Sequence, residues 1–285
     1  MSLSEHSCRP VVVGVDGSAQ SLFAVRWAAA YAAHHRAPLV IGYAVEVPIE
    51  YGPGLSGPLF DGAALYAHGE SVVAEAAALV AADQLVVNTF VEVGDARAVL
   101  RDRSERARLV VVGSRGLGAL RRTLLGSVST AIARHASCPV AVVPEAPVAD
   151  GAVVVGVAGS GADADAITQG FDEASRRDVR VIAVHAWSEF FRYDSRATMR
   201  AEAEAELSAS LAGYREKYPD VRVERIVVED RPARAVLTAA AGAQLVVVGS
   251  HGRGGAARTT LGSVAQAVLH GTTRPLLITR PESLR

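Results

Sequence analysis

Short runs of apolar residues alternate along the chain with longer segments in which apolar residues recur every three or four positions. Runs of the first kind predict buried β-strands, and segments of the second kind predict amphipathic helices. In the first half, strands are predicted at 10–15, 38–45, 85–93, 109–113 and 139–143. Helices are predicted between them, near 19–36, 67–82, 95–106 and 127–136. Such alternation is typical of βαβ units and predicts a parallel sheet covered by helices on both faces.

The second half repeats the pattern of the first. Its strands are predicted at 152–157, 179–186, 221–228, 245–249 and 275–279, and an amphipathic helix of no assigned function is predicted over 196–218. Residues 109–129 and 245–265 are identical at 14 of 21 positions without a gap. We infer a duplication that gives two tandem α/β domains, residues 1–147 and 148–285, each a doubly wound five-stranded parallel sheet of Rossmann-like type. The Pro- and Gly-containing segment 144–151 is predicted to link them.

Composition narrows the class of protein. The 285 residues carry a net charge of −1, which gives no electrostatic footprint for nucleic acid or an anionic membrane. No apolar run approaches the roughly 20 residues that span a bilayer, and the first ten residues lack the basic and apolar regions of a signal peptide. Cys8 and Cys138 are too few for a disulfide framework or a cysteine-based metal site. We therefore expect a cytoplasmic protein without a nucleic-acid or membrane partner.

A glycine-rich loop follows the fourth predicted strand of each half. The loops read "GSRGLGALRRTLLGSVS" at 113–129 and "GSHGRGGAARTTLGSVA" at 249–265. Their glycines allow the backbone to approach a ligand closely, and the final Gly-Ser begins a helix whose N–H groups favour an anion. A simple flexible turn is the alternative, but it does not account for two copies with one spacing. We interpret the loops as phosphate-binding, although neither is a P-loop, because neither contains a lysine, and neither is the dinucleotide fingerprint.

Asp16 follows the first predicted strand, in "VVVGVDGS" at 11–18. This position is expected to meet the end of the fourth strand where the winding of the sheet reverses, which is where ligands of open α/β sheets bind. Two roles stay open for it. Asp16 caps the next helix, with Ser18 as the rival cap, or it accepts hydrogen bonds from a ribose or base or holds Mg²⁺. The second half has Ala158 at this position, so the two pockets are not chemically equal, and Glu189 is a candidate substitute.

These motifs resemble the universal stress protein family in its tandem two-domain form. The resemblance rests on "VVVGVDGS", on the G-x2-G-x9-G-S spacing of 113–127 and on "CPVAVV" at 138–143, with their counterparts in the second half. It covers about 10–144 and 152–280. It implies the five-stranded doubly wound fold in each half and ATP as the ligand. It also implies a homodimer, or a pseudo-dimer within the chain, formed through the last strand of each half.

The resemblance also implies which residues contact ATP, with Gly14 and Asp16 beside the nucleoside, Val45 in the adenine pocket and the loops around ribose and phosphates. In the first half these residues are Gly14, Asp16, Val45, Gly113, Ser114, Arg115, Gly116, Gly118, Gly126, Ser127, Val128 and Ser129. In the second half they are Gly156, Gly249, Ser250, His251, Gly252, Gly254, Gly262, Ser263, Val264 and Ala265. Ala158, and Trp187 in the place of Val45, weaken the expectation for the second site.

Three functions fit this pattern: an ATP-binding regulatory module of the stress response, a slow ATP-hydrolysing enzyme, or an interaction module with empty pockets. Phosphoryl transfer needs positioned Mg²⁺ ligands and a group that orients the nucleophile, and neither loop contains an acidic residue. The eight histidines show no metal-ligand spacing. We therefore favour ATP binding, with no catalytic residue and no resident metal, and with Mg²⁺ accompanying the nucleotide as an open point. The segment 46–66 is interpreted as a surface loop, with a lid over the first site as the alternative.

Overall fold

The computed structural model describes residues 9–46, 62–81, 85–116, 125–144, 150–159, 161, 163–187, 195–251 and 261–280. Contacts divide the chain into two compact units, Met1–Cys138 and Pro139–Arg285. The last strand of the first repeat is therefore grouped with the second unit. The domain boundary at residue 147 stays a prediction, because 145–149 lie outside the described residues.

The first unit contains a four-stranded parallel sheet. Its strands are β1 (Val11–Gly14), β2 (Leu39–Val45), β3 (Val87–Val93) and β4 (Leu109–Gly113). The spatial order is β3-β2-β1-β4, and Val11 lies opposite both Leu39 and Leu109. The side chains of β1 and β4 are buried, as expected for central strands of a parallel sheet. The chain winds outward to β3 and returns to the other side of β1, so the winding reverses between β1 and β4.

Helices follow each of these strands. They are α1 (Ala19–His35), α2 (Gly62–Ala78), α3 (Ala96–Ser104) and α4 (Ser127–His135). Ser18 is the N-cap of α1, because its Oγ accepts the N–H of Ser21 at 3.2 Å. Of the two capping candidates from the sequence, Ser18 therefore takes the role and Asp16 does not. The helix α2 begins earlier than the predicted residue 67.

Six strands lie in the described residues of the second unit. They are β5 (Val140–Val143), β6 (Val153–Gly156), β7 (Val181–Trp187), β8 (Val223–Glu229), β9 (Leu245–Gly249) and β10 (Leu276–Thr279). Their spatial order is β5-β10-β9-β6-β7-β8. All neighbouring pairs are parallel except β5 and β10, which run antiparallel. The mostly parallel, doubly wound α/β class predicted from the sequence is confirmed.

The helices of this unit correct one prediction. They are α5 (Ala164–Arg176), α6 (Arg196–Ser210), α7 (Tyr214–Lys217), α8 (Pro232–Ala239) and α9 (Ser263–Gly271), with a 3₁₀ turn at Ala240–Gly242. The single helix predicted over 196–218 is wrong. The chain leaves the helix after Ser210, and Gly213 adopts a left-handed conformation with φ +78° before α7 begins. Glycine adopts this conformation at no steric cost, and a helix cannot continue through it.

The last strands of the two repeats pair with each other inside the chain. Leu277 of β10 lies opposite Ala141 of β5, and the other edge of β10 pairs with β9. Both edges of β10 are therefore engaged without a second copy of the chain. A homodimer through these strands stays a prediction. No helix in the described ranges has the length and apolar character needed to cross a bilayer.

A buried ion pair joins elements of the second unit. Arg177 Nε donates to Glu173 Oε2 at 2.9 Å, and Glu173 is 1% exposed. Arg177 also donates to Gln244 Oε1 at 3.3 Å, and Gln244 Nε2 donates to the Gly151 carbonyl oxygen at 2.7 Å. Each charge therefore has a partner, which is the condition for tolerating it in the interior.

Close packing of α5 on β6 generates a stability prediction. A Cβ on Gly170 would lie 2.3 Å from Cγ2 of Val155, a core residue that is 1% exposed. We expect Gly170→Ala to destabilise the protein by about 1–3 kcal/mol, since overpacking costs outweigh the ~1 kcal/mol that alanine gains in a helix. Gly242→Ala is the matched control, because a Cβ there meets nothing within 4 Å. Equal urea midpoints for the two variants would contradict this packing.

Candidate functional site

A cavity of about 800 Å³ opens in the first unit at the carboxyl ends of β1, β2 and β4. Its volume is in the range of small-molecule sites, and its position at the reversal of winding is where ligands of open α/β sheets bind. Three kinds of surface line it: the loops after the strands, the N-terminal turn of α4, and apolar side chains from β3 and α3.

Most of the residues predicted for the first site line this cavity. They are Gly14, Asp16, Gly113, Arg115, Gly116, Gly126, Ser127, Val128 and Ser129. Ser114 is buried at 6% exposure and is not part of the wall. Val45 is also buried and absent from the wall, whereas its neighbours Ala44 and Glu46 line it. Gly118 lies outside the described residues, as do residues 47–61, which make up most of the segment interpreted as a surface loop with a lid as the alternative.

The Asp16 carboxylate is held by its own loop. Oδ1 accepts the N–H of Ser18 at 3.0 Å, and Gly17 takes the left-handed conformation with φ +83° that this tight turn requires. The N–H of Asp16 donates to Ser21 Oγ at 3.4 Å. The loop therefore fixes Oδ1 and the backbone of Asp16, whose side chain lies on the cavity wall.

Glycine at position 116 is required by the approach of that carboxylate. A Cβ on Gly116 would lie 2.2 Å from Asp16 Oδ2. Because real Cβ atoms do not come this close to an oxygen, any larger residue at 116 would displace the carboxylate or the loop. The first glycine of the loop has a similar role, since a Cβ on Gly113 would lie 3.1 Å from the backbone carbonyl oxygen of Gln20 in α1.

The N-terminus of α4 opens into the cavity without a side-chain cap. Its N-cap is Gly126, which has no side chain to accept the N–H groups of the first turn. The first intrahelical bond runs from Thr130 N–H to the Gly126 carbonyl oxygen at 3.0 Å. The N–H groups of Ser127, Val128 and Ser129 therefore have no intrahelical acceptor, and the positive end of the helix dipole favours an anion in front of them.

Two hydrogen bonds hold this helix end against β4. The N–H of Gly126 donates to the Ser114 carbonyl oxygen at 2.8 Å. The hydroxyl of Ser129 donates to the Gly113 carbonyl oxygen at 2.6 Å. Both contacts connect the first turn of α4 to the residues that end β4, so the anion-binding turn has a fixed position beside the strand ends.

The apolar wall of the cavity is built from residues that the sequence did not single out. Phe90 of β3 lies over Gly42 of β2, where a Cβ would be 2.0 Å from the ring, so only glycine leaves space for it. The ring of Phe90 also contacts Arg103, whose guanidinium lies 4.0 Å from the ring centroid. Arg103 Nη2 donates to Glu92 Oε2 at 2.7 Å. Val99 and Leu100 of α3 complete the wall. They belong to the stretch "ARAVL" at 96–100, which recurs at 233–237, and this repetition is the sequence feature that could have pointed to them.

Tyr43 and Glu46, from β2 and the residue after it, add polar groups that sequence analysis missed. Glu46 Oε1 accepts the N–H of Ala96 at 3.4 Å, at the start of α3. The pKa of Tyr43 is raised, first by burial and then by the negative charges of Asp16 and Glu46. The part of the cavity wall around Tyr43 is therefore acidic, whereas the first turn of α4 contributes the positive end of a helix dipole.

The second unit repeats part of this framework. The N–H of Gly262 donates to the Ser250 carbonyl oxygen at 2.8 Å, as Gly126 does to Ser114. Gly262 is the N-cap of α9 and makes no side-chain cap, and the first intrahelical bond runs from Gln266 N–H to its carbonyl oxygen. The N–H groups of Ser263, Val264 and Ala265 therefore have no intrahelical acceptor, as in α4. Gly156 and Gly249 end β6 and β9, as the duplication predicts. Gly252, Gly254 and Glu189 lie outside the described residues.

His251 follows Ser250 in the described part of the second loop, and its Nδ1 lies 3.0 Å from the Ser250 hydroxyl. Arg115 stands at the equivalent position of the first unit and lines the cavity there. In their described parts, the two loops share the hydrogen bond between the first serine and the later glycine and differ in the residue after that serine.

Comparison with known proteins agrees with the duplication and the fold. The model of the universal stress protein family matches residues 8–144 and again 151–280. Universal stress protein Rv2005c of Mycobacterium tuberculosis is 43% identical in an alignment 284 residues long, which covers 95% of this chain and 96% of that protein. Universal stress protein Rv2623 of the same organism is 39% identical over 303 residues and covers 99% of both chains. A universal stress protein structure from Archaeoglobus fulgidus shares the fold with a TM-score of 0.70 and 18% identity, over 97% of this chain and 98% of that one.

The fold and the cavity define a doubly wound α/β protein with a glycine loop and an uncapped helix at the point where the winding reverses. Because the family model matches twice along the chain, the protein belongs to the universal stress protein family, in a tandem two-domain form.

The electrostatics of the acidic end give a pH prediction. Because the folded-state pKa of Tyr43 lies above its ordinary value of 10.0, its stability contribution is present below that value and is lost as pH rises through the raised pKa. We expect Asp16→Asn to lower the pKa of Tyr43, since the variant removes a charge and keeps the oxygen that accepts from Ser18. Tyrosinate absorbance is measured as pH rises, in proteins with Tyr43 and in the matched Tyr43→Phe variants. The difference between the two curves is the titration of Tyr43. An unchanged Tyr43 titration in Asp16→Asn would contradict the assigned cause.

Proposed function

We propose that the first unit binds ATP and that the protein acts as an ATP-dependent regulatory module. The observation that carries this proposal is that a carboxylate and a helix N-terminus without a side-chain cap line one cavity. A ligand that satisfies both has hydroxyl donors and an anionic group. A nucleoside triphosphate has both, and the resemblance to the nucleotide-binding branch of the family implies ATP in particular.

The phosphate end of the proposed complex is the first turn of α4. The N–H groups of Ser127, Val128 and Ser129 would donate to phosphate oxygens, and Arg115 on the cavity wall adds positive charge. Lys217 is the only lysine of the chain and lies on α7 of the second unit. The site therefore has no lysine of the kind that P-loop enzymes use, and we propose binding rather than rapid turnover.

The nucleoside end is Asp16 and the apolar wall. Asp16 Oδ2 would accept hydrogen bonds from the ribose hydroxyls, while Val99, Leu100 and Phe90 enclose the base. Mg²⁺ binds through one or two carboxylates together with substrate phosphates, and Asp16 and Glu46 are the acidic residues on the described cavity wall. We propose that Mg²⁺ enters with the nucleotide and not as a resident ion. A cytoplasmic location is proposed from the composition, and a homodimer is proposed on the family resemblance alone.

A direct count tests the ligand. Protein purified without added nucleotide is denatured, and the released small molecules are identified and counted per chain. Adenine nucleotide recovered with the chain, and an ATP-dependent rise in melting temperature, are expected; occupancy at 100 times Kd adds about 2.7 kcal/mol. Absence of both would overturn the proposal. Steady release of phosphate over many turnovers would instead indicate the enzymatic alternative.

Removing the proposed ribose acceptor should weaken binding. We expect Asp16→Ala to lower ATP affinity by about 10- to 100-fold, since hydrogen bonds to charged groups contribute about 1.5–3 kcal/mol. Asp102→Ala is the control, because Asp102 is exposed on α3, pairs with Arg101 and lies outside the cavity wall. Calorimetric titration with ATP measures both variants. Equal affinities would mean that Asp16 does not contact the ligand.

The phosphate end can be tested at a single N–H group. Ser127 is the first residue of α4, and Gly126 before it has φ −65° and ψ 150°, which a following proline tolerates. Ser127→Pro therefore removes one N–H without breaking the helix, while Ser127→Ala removes only the hydroxyl. We expect the proline variant to lose roughly 10-fold or more in ATP affinity and to keep its affinity for adenosine. A parallel loss for adenosine would show that α4 does not face the phosphates.

A further inference from the structure

The loop after the first strand contains a carboxylate near its start in one repeat and near its end in the other. The two carboxylates lie on different sides of their loops. The same number of residues separates β1 from β2 and β6 from β7, so positions in the intervening segments correspond one to one. Ala158 stands in the place of Asp16, and Asp163 stands in the place of Ser21. The carboxylate that the second repeat lacks at 158 is therefore present five residues later.

In the first repeat, the uncharged residue Ser21 holds the loop. Ser21 Oγ accepts the N–H of Asp16 at 3.4 Å and donates to the Ser18 carbonyl oxygen at 2.8 Å. Asp16 itself is half-exposed on the cavity wall. The charge is on the ligand side of the loop, and the serine is buried behind it at 3% exposure.

In the second repeat, the charge is behind the loop. Asp163 Oδ2 accepts the N–H of Ala158 at 2.7 Å and the N–H of Gly159 at 2.8 Å. Asp163 is 3% exposed, and although it is the N-cap of α5, its carboxylate caps no N–H of that helix. A buried carboxylate with two short, charge-assisted hydrogen bonds holds these amides more strongly than a serine hydroxyl does.

We propose that the residue pair 16/21, with its counterpart 158/163, decides which repeat binds the ribose. With Asp16 and Ser21, the loop presents a carboxylate to the ligand. With Ala158 and Asp163, the loop is held by the protein's own carboxylate and presents only a methyl group. The chain then has one nucleotide site, in the first unit, and the loop of the second unit keeps its conformation without a ligand. This inference rests on the proposed function.

The physical reason is the satisfaction of hydrogen bonds. Ribose hydroxyls leaving water need acceptors, and burying them against a methyl group leaves them unpaired. Adding a carboxylate at 158 while Asp163 remains would place two like charges on one short loop, which is unfavourable. Both members of the pair must therefore change together for the second unit to acquire the first unit's chemistry.

An exchange of the pair tests this. Wild type is expected to bind one ATP per chain by calorimetry, and Asp16→Ala is expected to reduce specific binding to none. The combination Asp16→Ala with Ala158→Asp and Asp163→Ser is expected to restore one site, which must then lie in the second unit. Ala158→Asp alone and Asp163→Ser alone, each in the Asp16→Ala background, are the controls and are expected to restore none.

The outcomes separate the two proposals. Two ATP molecules per wild-type chain would overturn this inference and leave the proposed function intact. No ATP on wild type would overturn the proposed function. Restoration of binding by either single change would overturn the role of the pair. So would a folded variant with the paired change that binds no ATP.

A second measurement does not depend on ATP or on the multiply substituted variant. It therefore still tests the inference if that variant does not fold. Hydrogen exchange of the Ala158 and Gly159 amides should speed up by roughly 10-fold or more in Asp163→Ala. Asp163→Asn keeps an acceptor oxygen and should retain part of the protection. Unchanged protection in Asp163→Ala would overturn the proposed locking of the loop.

Discussion

One backbone hydrogen bond, from the Gly126 N–H to the Ser114 carbonyl oxygen at 2.8 Å, holds the site in place. It joins the start of α4 to the end of β4, and the Ser129 hydroxyl reinforces it through the Gly113 carbonyl oxygen. Because both partners are at an element end, the bond fixes the direction in which the first turn of α4 presents its N–H groups. The direction of these N–H groups is therefore set before any ligand arrives, which is the condition for binding an anion without a large ordering cost.

The same constraint explains why the duplication is visible in the glycines. The second repeat forms the equivalent bond between Gly262 and Ser250 at the same 2.8 Å. A side chain on Gly113 would contact α1, and one on Gly116 would displace Asp16. Spacing and residue type in these loops are therefore dictated by backbone geometry, and backbone geometry is common to both units.

The two repeats differ in the side chains of the loop after the first strand, at positions 16 and 158 and at positions 21 and 163. They do not differ in the hydrogen bonding that its backbone requires. The loop after the first strand of each repeat needs an acceptor for its amides, which Ser21 provides in one and Asp163 in the other. Once the buried acceptor carries the charge, the exposed position has an alanine. A duplicated fold can in this way keep both frameworks while the chemistry of one site changes, because stability and ligand contact depend on different residues of the same loop.

The sequence by itself determined the α/β class, the order of strands and helices, the duplication and the glycine spacing of the loops. These follow from local rules: apolar periodicity, the conformations open to glycine, and the N–H groups of a helix start. It also predicted that Asp16 and the first residues of α4 lie at one edge of the sheet, because the carboxyl ends of parallel strands meet there, and both line one cavity. Their contact with a ligand stays a prediction.

Only the tertiary structure decided the rest. Phe90, Tyr43 and Glu46 come from β3, β2 and the residue after β2, and no pattern within those segments shows that their side chains share a cavity with α4. The choice of Ser18 over Asp16 as the cap, the break at Gly213 and the buried position of Asp163 are also three-dimensional. Each depends on the direction in which one side chain or peptide points, and that direction is set by packing against segments distant in the chain.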